Sequence, residues 1–203
     1  MEDKKICLEE ALKSRRSYYA LASDIEVSDE RIEELVKMAA RWVPSAFNSQ
    51  SARMVLLLGD AHLRLWQIVK DTLKAMIPAA AFVRTEQKID RSFAAGHGTV
   101  LFFEDGNLIA DLQRKFPTYA DNFPAFSQHT SAMHQLAIWM LLENEGLGAS
   151  LQHYNPVIDE AVRQAFHLPE SWSLVAQMPF GRPLDIPGEK TFCPIEEKVF
   201  VIR

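Results

Sequence analysis

The chain has 203 residues, 48% of them hydrophobic, which suits one domain with a sizeable core. Its formal net charge of -5 leaves no broad cationic field to attract nucleic acid or anionic lipid, and no apolar run is long enough to span a bilayer. The two cysteines, Cys7 and Cys193, have neither metal nor redox spacing, which fits a reducing cytoplasm, and Met1–Lys5 lacks the basic and apolar pattern of a secretory leader.

Leu8, Ala11 and Leu12 recur at helical spacing and predict a helix over 6–14 that delivers Arg15 at its end. Ser28 followed by Asp29 and Glu30 opens a second helix, the hydroxyl satisfying an orphan N–H and the acids complementing the dipole. Ile32, Leu35, Val36, Ala39 and Val43 form its buried stripe. Pro44 stops it, because proline cannot continue the hydrogen-bond ladder and drives Val43 into an extended conformation, which leaves 45–50 as an ordered loop. Met54–Leu58 reads as a buried strand, after which Asp60 caps a helix with Leu65, Ile68, Val69, Leu73 and Met76 on its apolar side. A helix near 79–94, a strand at Thr99–Phe103 and a helix near 106–115 come next, followed by an aromatic loop over 116–126 that contains Pro117 and Pro124. Met133, Leu136, Ala137, Met140 and Leu141 set the helical period over 127–145, and Gly146 ends it. A short strand at 149–152, a helix over 156–167 opened by Pro156, a core strand at 173–180 and an extended candidate at 198–202 complete the chain. This alternation predicts one α+β domain spanning 1–203, with helices covering a sheet.

Chemistry concentrates in two segments. Arg15-Arg16-Ser17 sets two guanidinium groups beside a hydroxyl, a multi-donor arrangement matched to a phosphate, because the guanidinium fork is always charged and can bind bidentately. The second segment is Pro44-Ser45-Ala46-Phe47-Asn48-Ser49-Gln50. Neither Gly96-x-Gly98 nor Gly146-x-Gly148 carries the third glycine of a dinucleotide fingerprint, and no Gly-x-x-x-x-Gly-Lys-Ser/Thr loop occurs. His129 and His134 do not share a helix face, and His62, His97 and His167 lack ligand-spaced neighbours, so no metal site is expected.

Together the two segments resemble the paired signatures of the FMN-dependent nitroreductase family, roughly Arg-Arg-Ser-x-Arg and Pro-Ser-x-x-Asn-x-Gln. The likeness continues through Gly146–Tyr154, Gly181-Arg182-Pro183 and Gly188-Glu189-Lys190. Leu151-Gln152-His153-Tyr154, with Asn122–Phe126 and Ser131–Gln135, is most similar to the subgroup of fungal fatty-acid-repression proteins and bacterial stress-induced nitroreductases. This resemblance implies a nitroreductase-like α+β fold with a central mixed or antiparallel sheet. It also implies an intertwined homodimer, each C-terminal extension wrapping the partner and FMN bound where the two subunits meet.

By the same resemblance, Arg15, Arg16, Ser17 and Tyr19 meet the phosphate, ribityl chain or ring edge of FMN, with Lys190 as a further cation. Pro44, Ser45, Ala46 and Asn48 would approach the ring from the other subunit while Gln50 holds their loop, and Leu151, Gln152 and His153 would lie under the ring, offering backbone N–H and side chains. Two positions depart from the pattern: Tyr19 replaces a basic residue, and Lys190-Thr191-Phe192 keeps only the lysine of a Lys-x-Arg pair, which makes Arg182 a candidate replacement. Phe82, Tyr119, Phe123 and Phe126 are candidates for a roof over a flat substrate, although core packing uses such rings equally well. The implied activity is a ping-pong hydride relay, in which NADH or NADPH reduces FMN and a nitroaromatic or quinone-like acceptor then takes two electrons. The alternatives are a non-catalytic flavin-binding regulatory protein in a stress or lipid response, and a small-ligand protein without flavin.

Overall fold

A computed structural model describes residues 7–203. Met1–Lys5 and the first residue of the helix expected from 6 lie outside the described residues. The elements run α1 (Leu8–Ser14), β1 (Leu21–Ala22), α2 (Asp29–Trp42), β2 (Ala52–Leu58), α3 (Gly59–Met76), α4 (Ala79–Lys88), β3 (Gly98–Asp105), α5 (Gly106–Lys115), α6 (Phe123–Asn144), β4 (Gly148–Ala149), α7 (Asp159–Phe166) and β5 (Trp172–Pro183). Short 3-10 turns at Ala46–Asn48, Pro117–Asn122 and Ile195–Glu197 and a π turn at Ile89–Phe93 fill several of the gaps.

The strands form one antiparallel sheet in the order β1-β5-β3-β2, with β4 also on β5. Period-2 alternation along β3 divides the interior into two cores. Val100 and Phe102 turn toward α2 and α6, joining Ile32, Leu35, Ile138, Leu142, Met178 and Phe180. Leu101 and Phe103 turn the other way, onto Leu65, Trp66 and Val69 of α3, Phe93 of the π turn, and Val162 of α7. The fold is therefore a sheet with a helical layer on each face, as the α+β reading anticipates.

Local rules explain most boundaries. Ser28 Oγ accepts the Arg31 N–H at 3.2 Å, and Val43 leaves α2 in an extended conformation (φ -70°, ψ 127°) ahead of Pro44. Four expectations need correction. Asp60 does not cap α3; Leu58 occupies the cap position without a side-chain bond, Gly59 starts the helix at φ 52°, and Asp60 sits in the first turn, where it faces the helix dipole. α6 begins at Phe123, not 127, because Pro124 falls in the first turn, where its missing N–H costs nothing. α7 begins at Asp159, and Pro156 belongs to the turn before it. The stretch 198–202 pairs with no strand among the described residues, and Phe200 and Ile202 are exposed. β1 was not anticipated, since two residues are too short to show a period. Among the described residues no helix is long and apolar enough to cross a membrane.

Candidate functional site

Arg15 occupies the C-terminal cap of α1, where its N–H bonds Ala11 O at 3.0 Å. The chain then runs along the sheet edge: Ser17 pairs with Ala149 in a parallel bridge and the Tyr18 N–H donates to Ala149 O at 3.0 Å. This close approach depends on Gly148, where a Cβ would meet Tyr18 Cγ at 2.8 Å. The C-terminal tail folds back over the same segment. Lys190 Nζ donates to Lys13 O at 3.3 Å and to Arg15 O at 3.2 Å, Arg16 donates to Gly188 O, and the Leu184 N–H reaches Ala20 O at 3.0 Å. Three cations separated by up to 175 residues in sequence thus meet around Ser17.

The cluster brings like charges close together. Lys190 is held below the usual lysine range by partial desolvation and then by the charges of Arg15 and Arg16, with Glu143 opposing. Glu143 is pushed up by burial, against a hydrogen bond from Ser14 and the attraction of Arg15 and Lys190. Among the described residues, Arg15, Arg16 and Lys190 form no ion pair. Two cavities flank them. One of about 340 Å³ lies between Ser17–Ala20, Tyr19 included, and Asp185, Pro187 and Gly188. The other, about 360 Å³, is lined by Arg15, Ser17, Leu151 and the α6 stripe Ala132, Gln135, Leu136 and Trp139. Arg182, the candidate replacement cation, is paired with Asp24, its Nη2 donating to both carboxylate oxygens at 2.8 and 2.7 Å.

The second segment is a turn held by its own hydrogen bonds. Phe47, Asn48 and Gln50 adopt positive φ (57°, 51° and 49°), a conformation that the surroundings must enforce. Ser45 Oγ accepts the Gln50 N–H at 3.0 Å, and Arg53 Nη1 donates to Gln50 O at 2.7 Å. Gln50 therefore holds the loop through its backbone N–H and carbonyl. Ser51, next in the chain, donates to Glu104 Oε2 at 2.6 Å. Glu104 is only 1% exposed, and burial pushes its carboxyl up to about 7. The ring of Phe47 packs on Phe116, Tyr119 and Phe123, with centroids 5.0, 5.6 and 5.3 Å away, and Phe126 adds an edge to Phe123. Sequence reasoning missed Phe47 and Phe116 in this cluster, although both lie inside the segments it singled out. Phe82 is buried on α4 and makes no ring contact with the cluster among the described residues.

One protomer does not bring the two segments to a single cavity. Pro44 lines a separate groove of about 880 Å³, together with Leu8, Ala11, Trp42, Met140 and Leu141. The α6 residues of this groove, Ala137, Met140, Leu141 and Asn144, are each five positions beyond those facing Arg15. That offset is a turn of ~140° around the helix, given ~100° per residue. Leu151, Gln152 and His153 follow β4 beside the Arg15 cavity. The Gln152 N–H is taken by Gln177 O at 2.7 Å, which removes that backbone donor, while its side chain donates to Ser150 Oγ at 3.1 Å. His153 is exposed.

Comparison with known proteins agrees with this architecture. The nitroreductase family model matches residues 12–182. HBN1 of Saccharomyces cerevisiae is 38% identical over 191 residues, which cover 93% of this chain and 94% of that protein. Nitroreductase CinD from Lactococcus lactis, solved in complex with chloramphenicol, aligns with a TM-score of 0.89 at 42% identity, over 97% of this chain and 100% of that one. A protein from Exiguobacterium sibiricum, solved in complex with FMN, shares the fold at 13% identity with a TM-score of 0.72, over 97% of this chain and 98% of that one. The chain belongs to the nitroreductase family and is an oxidoreductase of that family.

Proposed function

We propose that this oxidoreductase binds FMN with its phosphate against Arg15, Arg16, Ser17 and Lys190, takes electrons from NADH or NADPH, and passes them to flat nitroaromatic or quinone-like acceptors. The observation that carries this reading is the convergence of three cations that form no ion pair among the described residues, Lys190 being held below its usual range by desolvation and then by the charges of Arg15 and Arg16. An anion with several acceptor oxygens relieves that repulsion. The distant relative's FMN complex and the CinD complex with 4-nitrophenol fit the same ligand classes.

FMN, when bound, supplies the two-electron chemistry, with donor and acceptor taking turns at one site in a ping-pong sequence. The chain's part is to bind, orient and exclude water. Arg16 and Lys190 tie the tail segment Gly188–Lys190 to the Arg15 segment, so that the phosphate seat is closed by two distant parts of the chain. Leu151, Gln152 and His153 would extend the seat along β5, and the half-exposed rings of Phe47 and Tyr119, tilted 55° to each other, would offer an apolar face to an acceptor.

A homodimer completes the site. Leu8 and Trp42 beside the 880 Å³ groove are 77% and 76% exposed, and the tail residues Phe192, Phe200 and Ile202 are exposed as well. Two apolar surfaces on one chain, a groove and a strap, are matched halves of an interface. A partner placed there brings its own Pro44, Ser45, Ala46 and Asn48 to the cofactor. The exposed, unpaired Cys7 and Cys193 suit a reducing cytoplasm.

The test is the visible spectrum of the purified protein during anaerobic addition of NADH and then NADPH. The flavin band should be present, bleach with one or both nucleotides, and return when a nitroaromatic or quinone is added. Bound flavin that neither nucleotide bleaches would support the regulatory reading and overturn the catalytic one.

A further inference from the structure

Among the described residues, Arg15 alone of the three cations is held by a ring. Its guanidinium carbon lies 4.4 Å from the centroid of the Trp139 indole. Both backbone groups of Arg15 are committed, the N–H to Ala11 O and the carbonyl to Lys190 Nζ, so its anchor point is fixed and its side chain is the free variable. That side chain extends into the 360 Å³ cavity, whose wall Trp139 shares with Gln135, Leu136 and Leu151. Trp139 itself is 8% exposed, and its Nε1 is buried without a hydrogen-bond partner among the described residues. A tryptophan kept in place for packing alone is usually oriented so that its N–H finds an acceptor. Here the indole forgoes that bond while presenting its face to the cation.

The choice of support matters because of what it leaves unneutralised. A carboxylate in contact with Arg15 would orient the guanidinium equally well but would cancel its charge and occupy its N–H fork. The nearest acid able to do so is Glu143, one helical turn beyond Trp139, and it makes no ion pair with Arg15 among the described residues. The face of an aromatic ring attracts the cation through its quadrupole and leaves charge and donors available at the edges of the guanidinium. From this geometry we infer that Trp139 is a positioning residue for the cofactor: its indole face sets the side chain of Arg15 so that the full positive charge is presented to the anionic ligand. This inference rests on the FMN reading and adds to it a residue outside both sequence signatures.

The test is FMN affinity, read by quenching of flavin fluorescence on titration, for wild type, Trp139→Leu, Trp139→Phe, Arg15→Ala and the Trp139→Leu/Arg15→Ala double variant. Loss of the aromatic face should weaken FMN binding by roughly 3- to 30-fold. Trp139→Phe, which keeps a face, should recover most of that loss. The double variant should bind no worse than Arg15→Ala, because the ring acts only through that side chain. Wild-type affinity in Trp139→Leu, or additive losses in the double variant, would overturn the inference and leave the FMN reading standing. A wild-type protein that takes up no FMN would overturn both. If Trp139→Leu does not fold, fluorinated tryptophans placed at position 139 alone, by suppression of a stop codon there, lower the electron density of that ring face with little change in its size. Affinity should then fall stepwise with fluorine number, and an unchanged affinity across that series would count against the ring's role.

Discussion

At the scale of single residues, Glu104 and the histidines His62 and His134 are buried, and burial makes the glutamate act in the opposite direction to the histidines. Glu104 has its carboxyl raised by burial to about 7 in the fold, so between pH ~4.5 and ~7 the native state holds a proton that the unfolded chain has released. Stability contributed by this group falls as pH rises through that window. His62, bonded to Thr99 Oγ1 at 2.9 Å and buried against Trp66, is lowered to about 4. Between pH ~4 and ~6.5 the unfolded chain holds the proton instead, and stability rises with pH. Each effect spans roughly 3 kcal/mol at its full extent, and in the wild type the two oppose each other. His134 is lowered by burial as well, so Glu104→Gln should leave the two histidines without the opposition of Glu104. Its denaturant midpoint is expected to climb more steeply with pH than the wild-type midpoint between pH ~4.5 and ~7, the window of Glu104. Parallel profiles for the two proteins would show that Glu104 titrates normally. Much at this scale was invisible in the sequence, since a glutamate in a strand and a histidine in a helix carry no local sign of burial. Arg182 shows the same limit, because its partner Asp24 is 158 residues away. Arg15, Arg16 and Ser17 were readable because adjacency alone brings their donors together.

At the scale of elements, legibility follows period and cap. α2 and the core of α6 were readable from repeated apolar spacing, and β3 from its run of β-branched and aromatic residues. The start of α6 was misplaced because Pro124 is read as a breaker inside a pattern and as a favoured first-turn residue at its edge. β4 is only two residues long, yet it carries much of the site, since Ser17 and Tyr18 are fixed against Ala149. Gly148→Ala should force the Tyr18 ring away from β4. The expected cost is about 1–3 kcal/mol, a loss of several degrees in thermal midpoint. A thermal midpoint equal to wild type would mean that the Tyr18 approach is soft and that the phosphate segment is held by other contacts.

At the scale of the whole molecule, the sheet and its two cores are built within one chain, whereas the two signature segments do not line one cavity. Pro44 and Arg15 line cavities on different faces of α6, while the tail beyond Lys190 presents apolar side chains to solvent. The extended candidate at 198–202 was legible as hydrophobic sequence, but its pairing was not, because no strand of its own sheet accepts it. The proposed exchange between two copies would account for both facts. Removing residues 191–203 should then convert a dimer into a monomer by light scattering while leaving helix and sheet content by circular dichroism unchanged. A truncated protein that stays fully dimeric would remove the tail from the interface.

The claim on which the functional account turns is that the Arg15, Arg16 and Lys190 cluster reads a phosphate. Equilibrium titration of flavin-free protein with FMN and, separately, with riboflavin isolates that group, since the two ligands differ only in the phosphate. Hydrogen bonds to charged groups contribute on the order of 1.5–3 kcal/mol, so FMN should bind at least about tenfold more tightly than riboflavin. Equal affinity for the two would contradict the assignment of the cluster.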